Sequence, residues 1–341
     1  MIVWKRLFLQ SAKFARFNVG SRMVSSYVNE KAEPDLYKHK VSINTRNGKT
    51  VEIDCVFMDT KPNDSKLGIV AVHGAPGSHK DFKYIFPKLE GVRFIGINWP
   101  GMDYSSYDHD LVDDNEERVQ IVQQIVDELK LEKIIFIGHS RGTENSLKLA
   151  ALNRDKAQAL VLLNPIGLRP HKGIRPYFVI NYFAWLWKTF PIGHSIYNPI
   201  LYWLYNKIGL RTNSGEAAGV CLNLMRYADF EKQKEYIEML NDSQVKVLLL
   251  YAGKDFLVEV PISDELAEAF SDNKKLICTS KDDSELLADT KGLLNNGTRH
   301  VSILFPDDGH FLQKTRAGFI ADSIKFLLNN QSNSRTDAKS Q

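Results

Sequence analysis

Gly138-His139-Ser140-Arg141-Gly142 sits between two different periodicities. Lys133 to Ile137, just before it, is a short apolar run that reads as a buried strand. Gly142 to Leu152, just after it, reads as a helix. A backbone that passes from buried strand to helix in so few residues must turn sharply. The glycines two before and two after the serine remove side chains that would collide there. Such strand–turn–helix units build sheets whose faces are both covered by helices.

The chain around this unit keeps the same rhythm. Leu67 to Val72, Arg93 to Asn98, Ala159 to Leu163, Val245 to Tyr251 and Val301 to Phe305 are further short apolar runs expected as strands. Glu116 to Leu129 places Val119, Val122, Ile125, Val126 and Leu129 on one helix face, and Ala317 to Leu328 closes the pattern as an amphipathic helix. Val51 to Met58 alternates and is expected as an early strand of an antiparallel edge. The polar turn Lys61 to Lys66 follows it. The expected fold class is α/β, a mostly parallel central sheet flanked by helices. Its core covers residues 40–166 and 243–328.

Two stretches interrupt the alternation. Residues 167–242 contain no strand pattern and are crowded with Tyr177, Phe178, Tyr182, Phe183, Trp185, Trp187, Phe190, Tyr202 and Trp203. They read as a helical cap inserted over the carboxyl edge of the sheet. Most of these rings are expected to pack as the cap's own core, a few to face the cleft and make it apolar. The run Phe178 to Trp187 dipping into a membrane interface is the alternative. Ser271 to Asn296 is a polar excursion before the last strand, with room for one short helix. Residues 329–341 are polar and expected to be a disordered tail.

Composition narrows the function classes. The chain of 341 residues is 43% hydrophobic and 25% charged, with a net charge of +3 too small to argue for a nucleic-acid partner. Cys55, Cys221 and Cys278 match no metal spacing and fit buried thiols in a reducing compartment. No metal or cofactor is expected. No apolar run reaches the roughly eighteen residues of a transmembrane helix. In residues 1–30, Lys5, Arg6, Lys13, Arg16 and Arg22 precede the first acid, Glu30. Lys5, Arg6, Lys13 and Arg16 share one helix side, and Val3, Trp4, Leu7, Phe8 and Phe14 the other, with Ile2 and Leu9 intruding on the basic side. That is the pattern of a mitochondrial transit peptide. The alternative is a helix lying on the protein or on a membrane in peripheral contact, with a cytoplasmic location.

The chemistry-bearing residues fall at the ends of expected strands. Ser140 opens a helix, where N–H groups and the positive dipole end face an incoming oxyanion. It is the candidate nucleophile, against the alternative of an ordinary turn serine. A serine hydroxyl needs a base, and His310 lies just past the last strand, on the same sheet edge. His139 is expected to point elsewhere. Asp255, directly after the strand that begins at Val245, is the candidate acid that fixes the imidazole tautomer. Asn164-Pro165 offers no carboxylate, and Asp307 and Asp308 share the loop of His310 and could not easily face its ring. His73-Gly74-Ala75-Pro76-Gly77 follows the strand Leu67 to Val72. The N–H groups of Ala75 and Arg141 are the candidate oxyanion donors.

These residues together resemble the α/β-hydrolase superfamily over roughly Val51 to Leu328. The His-Gly-x-Pro-Gly turn and the capped layout look like the epoxide-hydrolase and meta-cleavage-product-hydrolase branch. The string His73 to Tyr84 with Asn98-Trp99-Pro100-Gly101 is similar to a group of nematode α/β hydrolases of unassigned function. The resemblance implies Ser140, Asp255 and His310 as a catalytic triad and Ala75 and Arg141 as the oxyanion hole. It departs in two places. Epoxide hydrolases of this branch use an aspartate nucleophile where this chain has Ser140, which favours acyl transfer. The interval from Asp255 to His310 is longer than the family's usual one. The expected activity is hydrolysis of a carboxylic ester, thioester or amide of an apolar small molecule through an acyl-enzyme. The alternatives are a triad-dependent lyase, for which Lys188 or Lys207 near the cleft would be diagnostic, and a non-catalytic ligand-binding protein. Oligomeric state is not legible.

Overall fold

A computed structural model of the chain describes residues 35–60, 67–102, 104–280 and 282–337, together with a two-residue strand, Ser25–Ser26. The rest of the basic segment over 1–30 and the turn expected over 61–66 lie outside the described residues. Nine longer strands follow in the chain: β1 (Leu36–Asn44), β2 (Thr50–Asp59), β3 (Leu67–Val72), β4 (Arg93–Ile97), β5 (Lys133–His139), β6 (Ala157–Leu163), β7 (Lys246–Ala252), β8 (Lys274–Ile277) and β9 (His300–Phe305). Their order across one sheet is β1-β2-β4-β3-β5-β6-β7-β9-β8. All pairs are parallel except β1–β2 and β2–β4. This is the α/β-hydrolase fold.

The apolar runs are continuous because both faces of the sheet are buried. Alternate residues enter different cores. Val70, Val72, Ile134, Phe136, Leu160 and Leu162 meet Val122, Ile125, Leu147 and Ala150 of helices α1 (Asn115–Glu128) and α2 (Thr143–Leu152). Ile69, Ala71, Ile135, Ile137, Val161 and Leu163 meet the opposite layer. That layer includes Leu286 and Leu294 of α8 (Ser284–Asn295) and Phe319, Ile320 and Ile324 of α10 (Ala317–Asp337). Asp114 starts α1 by accepting the Glu117 N–H at 3.0 Å, a capping contact that satisfies one of the free donors of the first turn.

The strand over Val51 to Met58 does belong to an antiparallel edge, and β1 pairs outside it from Leu36↔Met58 to Asn44↔Thr50. Three expectations need correction. The polar excursion before the last strand carries a strand, β8, as well as helix α8. Lys274 and Lys275 leave β8 solvent-exposed at the sheet edge, so it lacks a buried strand's apolar pattern. The tail is not disordered from 329, since α10 continues to Asp337. No glycine or proline stands after Gly318 to end it. The insertion folds as α3 (Tyr177–Thr189), α4 (His194–Lys207), α5 (Gly215–Arg226) and α6 (Gln233–Asn241). Its rings are mostly outside, however. Trp187 is buried and Tyr177 half-buried, while Phe178, Tyr182, Phe183, Trp185, Phe190, Tyr202 and Trp203 are exposed. α5 supplies the buried layer through Ala217, Ala218, Val220, Cys221 and Leu224, and α3 and α4 each cover it with one face only.

Candidate active site

The site is placed by the sheet order. β3 lies between β4 and β5, and the chain leaves β3 towards β4 but leaves β5 towards β6 on the other side, so a crevice opens at the carboxyl edge there. Register fixes the neighbours: Val72 pairs with Gly138, His139 with Leu163, and Ala252 with Phe305. The segments after β3, β5, β6, β7 and β9 therefore emerge side by side.

Ser140 stands at the apex of the β5–α2 turn with φ 51°, a left-handed conformation costing a non-glycine residue about 1–2 kcal/mol. Close approach explains the flanking glycines. A β-carbon at Gly142 would lie 2.5 Å from the carbonyl oxygens of both Val72 and His73, and one at Gly138 would strike Ser146 and the Thr143 backbone. A β-carbon at Gly74 would lie 3.0 Å from that of Ser140, so the turn after β3 touches the serine. His73 braces this turn. Its Nδ1–H donates to the Gly74 carbonyl at 2.7 Å, and its Nε2 accepts the Trp99 N–H at 3.3 Å. Burial pushes its pKa down to about 3, so the ring is neutral and can do both.

His310 faces Ser140 and Asp255 at once. Its Nε2 is 3.0 Å from Ser140 Oγ, and its Nδ1 is 2.7 Å from Asp255 Oδ2. Asp255 Oδ1 accepts the N–H groups of Leu257 at 2.7 Å and Val258 at 3.1 Å, while Asn164 Nδ2 donates to Oδ2 at 2.8 Å. Burial alone would raise this carboxyl. The His310 hydrogen bond and charge, the Leu257 N–H and the Asn164 amide outweigh it and hold the pKa down to about 2. The three side chains chosen from the sequence are thus brought together, and Asp307 and Asp308 instead pair with Lys254 and Arg316. The long interval between Asp255 and His310 is occupied by β8 and α8. β8 lies outside β9, so β7 and β9 remain neighbours.

Several supporting residues had no sequence signal. Asn164 sits in the left-handed region at φ 47°, which asparagine tolerates better than most residues, and from there reaches Asp255. His139 does turn away from the serine. Its Nε2–H donates to the His310 carbonyl at 3.0 Å, and its Nδ1 accepts from Gln313 Nε2 at 3.3 Å. Burial, with His310 beside it, pushes its pKa down to about 3. Phe256 and Phe311 flank the His310 ring at 5.6 and 5.4 Å and remain partly exposed, forming an apolar rim beside it. Lys188 bonds Tyr107 Oη at 2.9 Å and Lys207 covers the Trp203 ring, so neither contact ties them to Ser140, His310 or Asp255. Lys172 is closer, donating to the main-chain carbonyl of Asp255 at 2.7 Å.

Arg141 joins the Ser140 turn to the cap. Its guanidinium donates to the Leu224 carbonyl at 3.1 Å and the Tyr227 carbonyl at 3.3 Å, and pairs with the fully buried Glu144. Burial raises the Glu144 carboxyl, and Arg141 pulls it back. Arg141→Met would remove the cation from a carboxylate that stays buried. A loss of about 3–5 kcal/mol in urea unfolding is expected, while the N–H at position 141 is retained.

A serine on a strained strand-to-helix turn, at the switch point of a mostly parallel sheet and beneath a helical insertion, defines an α/β hydrolase. The chain belongs to the family described as alpha/beta hydrolase of unknown function (DUF1057), whose model matches residues 33–329. It is 32% identical over 305 residues to an uncharacterized protein of Caenorhabditis elegans, covering 85% of each chain. Among solved structures it is similar to a thermophilic esterase from Thermogutta terrifontis. The TM-score is 0.56 at 16% identity, over 86% of this chain and 98% of that one. It is also similar to the haloalkane dehalogenase DbeA from Bradyrhizobium elkani. There the TM-score is 0.61 at 16% identity, over 88% and 100% of the two chains.

Proposed function

We propose that the protein is a serine hydrolase that cleaves a carboxylic ester, thioester or amide of an apolar small molecule through an acyl-enzyme. The observation that carries this reading is the unbroken relay from Ser140 Oγ through both nitrogens of His310 to Asp255. Ser140 Oγ attacks the carbonyl carbon, and its proton passes to His310 Nε2. Asp255 stabilises the imidazolium without taking its proton. The carbonyl electrons collect on oxygen, which the N–H groups of Ala75 and Arg141 receive; one such donor is worth about 3–4 kcal/mol. Arg141 lies in the first helical turn, which Ser140 opens and where N–H groups have no intrahelical acceptor. His310 then protonates the leaving group. Water attacks the acyl carbon as His310 takes its proton, and His310 then returns that proton to Ser140 Oγ as the acid product leaves. The apolar rim of Phe256 and Phe311 favours an apolar group beside His310.

A fluorophosphonate probe tests the reading directly. Labelling of the full chain at Ser140, lost in Ser140→Ala, is the expected result. Labelling that persists in the variant, or no labelling of the folded wild type, overturns it.

A further inference from the structure

We propose that the outer layer of the cap, α3 and α4 with the turn between them, is a docking surface for an anionic lipid bilayer. Phe178, Tyr182 and Trp185 repeat at helical spacing on α3 and are all exposed. Ile196, Ile200 and Trp203 repeat the same spacing on α4. The turn that joins the helices presents Ile192, 97% exposed. Ring contacts run from Tyr182 through Trp185, 6.1 Å apart, to Phe190, 5.7 Å further, and so into that turn. Exposed apolar residues in this number, joined by ring contacts along α3 into the turn, are uncommon on a protein with no partner.

Charge decides which partner fits. No acidic residue occurs between Asp155 and Glu216, a stretch that includes both helices. Arg169, Arg175 and Lys188 in this stretch are neutralised by Glu265, Glu259 and Asp113 from outside it. Lys207 and Arg211, at and beyond the last turn of α4, are exposed and have no ion-pair partner among the described residues. Lys207 lies over the Trp203 ring at 4.6 Å, setting a cation at the margin of the apolar stripe. Apolar stripe, tyrosine and tryptophan, and flanking cations without acids are the composition of a surface that enters a headgroup region. A second copy would set this basic surface against itself. The basic segment 1–30 would meet the same repulsion. An anionic bilayer meets attraction instead. α3 has 13 residues and α4 has 14, and among the described residues no helix is long and apolar enough to cross a membrane. The surface therefore lies on the bilayer. The proposal is independent of the hydrolytic reading, since it involves no triad residue.

Vesicle flotation of the full chain tests it, using phosphatidylcholine vesicles with and without phosphatidylserine. The wild type is expected to float with the anionic vesicles and to detach in high salt. Lys207→Glu with Arg211→Glu should weaken anionic binding about tenfold or more, and Ile192→Asp with Trp203→Ser should abolish it. Unchanged thermal melting shows that each variant is folded; if the tryptophan variant melts early, Ile196→Asp replaces it. Three results overturn the proposal. The wild type could fail to float, or all cap variants could bind as it does, which assigns binding to the N-terminal segment they retain. Finally, the wild type could be a lipid-free dimer that Ile192→Asp dissociates, which assigns the surface to a second copy.

Discussion

Ser140→Ala is expected to lower kcat on any accepted ester by about 10⁶, with little change in KM and unchanged urea stability. The hydroxyl is the group that becomes covalently bonded, and among the described residues Ser140 is the side chain that hydrogen-bonds His310 Nε2. Residual turnover of about 10³–10⁴ over water is expected, because the N–H groups of Ala75 and Arg141 belong to the backbone and survive the substitution. Removing Oγ leaves the left-handed turn intact, because its shape is set by Gly138, Gly142 and the β3 carbonyls beside them. Steady-state kinetics on a short-chain ester series checks this. A fall of less than about a hundredfold with the same substrates would mean that the measured hydrolysis does not pass through this serine.

Asp255→Asn is expected to lower kcat by about 10⁴ while leaving the fold intact. The surroundings dictate which way the new amide must point. Leu257 and Val258 both direct N–H groups at Oδ1, so the oxygen of the asparagine stays there. Its NH₂ must then occupy the Oδ2 position, facing His310 Nδ1. The imidazole turns donor at Nε2 to accept it, and Ser140 loses its base. Asn164 can accommodate the change by reversing its own amide, whose Oδ1 is buried and without a hydrogen-bond partner. The fold therefore survives, at a cost near neutrality of about 2 kcal/mol, the contribution of the ionised carboxyl. The acid limb differs. A carboxyl held at about 2, below its ordinary 3.8, contributes stability that is complete above pH 3.8 and lost as pH falls towards 2. That contribution is about 2 kcal/mol by linkage, and it is absent from the asparagine variant. Urea midpoints across that window should fall less steeply in Asp255→Asn than in wild type.

Much of this geometry was legible in the chain. Strand ends carry the reactive groups in a parallel sheet, so Ser140, Asp255 and His310 could be selected by their position after Ile137, Tyr251 and Phe305. The glycines around Ser140 were legible for the same reason, since close backbone approach excludes a β-carbon wherever that turn occurs. Asn164, His139 and Gln313 were not legible in their positioning contacts. Each acts on a residue roughly 90 to more than 170 positions away, and only the completed sheet brings them into contact. β1 and β8 escaped because edge strands are half solvated and carry no continuous apolar run.

The sequence by itself determined the sheet's buried strands, the sharp turn at Ser140 and the identity of the three triad candidates. Those follow from local patterns: apolar continuity, helical spacing and the steric freedom of glycine. Tertiary structure alone decided where the cap's rings go. Phe178, Tyr182, Ile192 and Trp203 stay outside because α5, not α3 or α4, supplies the layer against the core. A helix face is covered or bare according to what packs beside it, and helical periodicity is the same in either case.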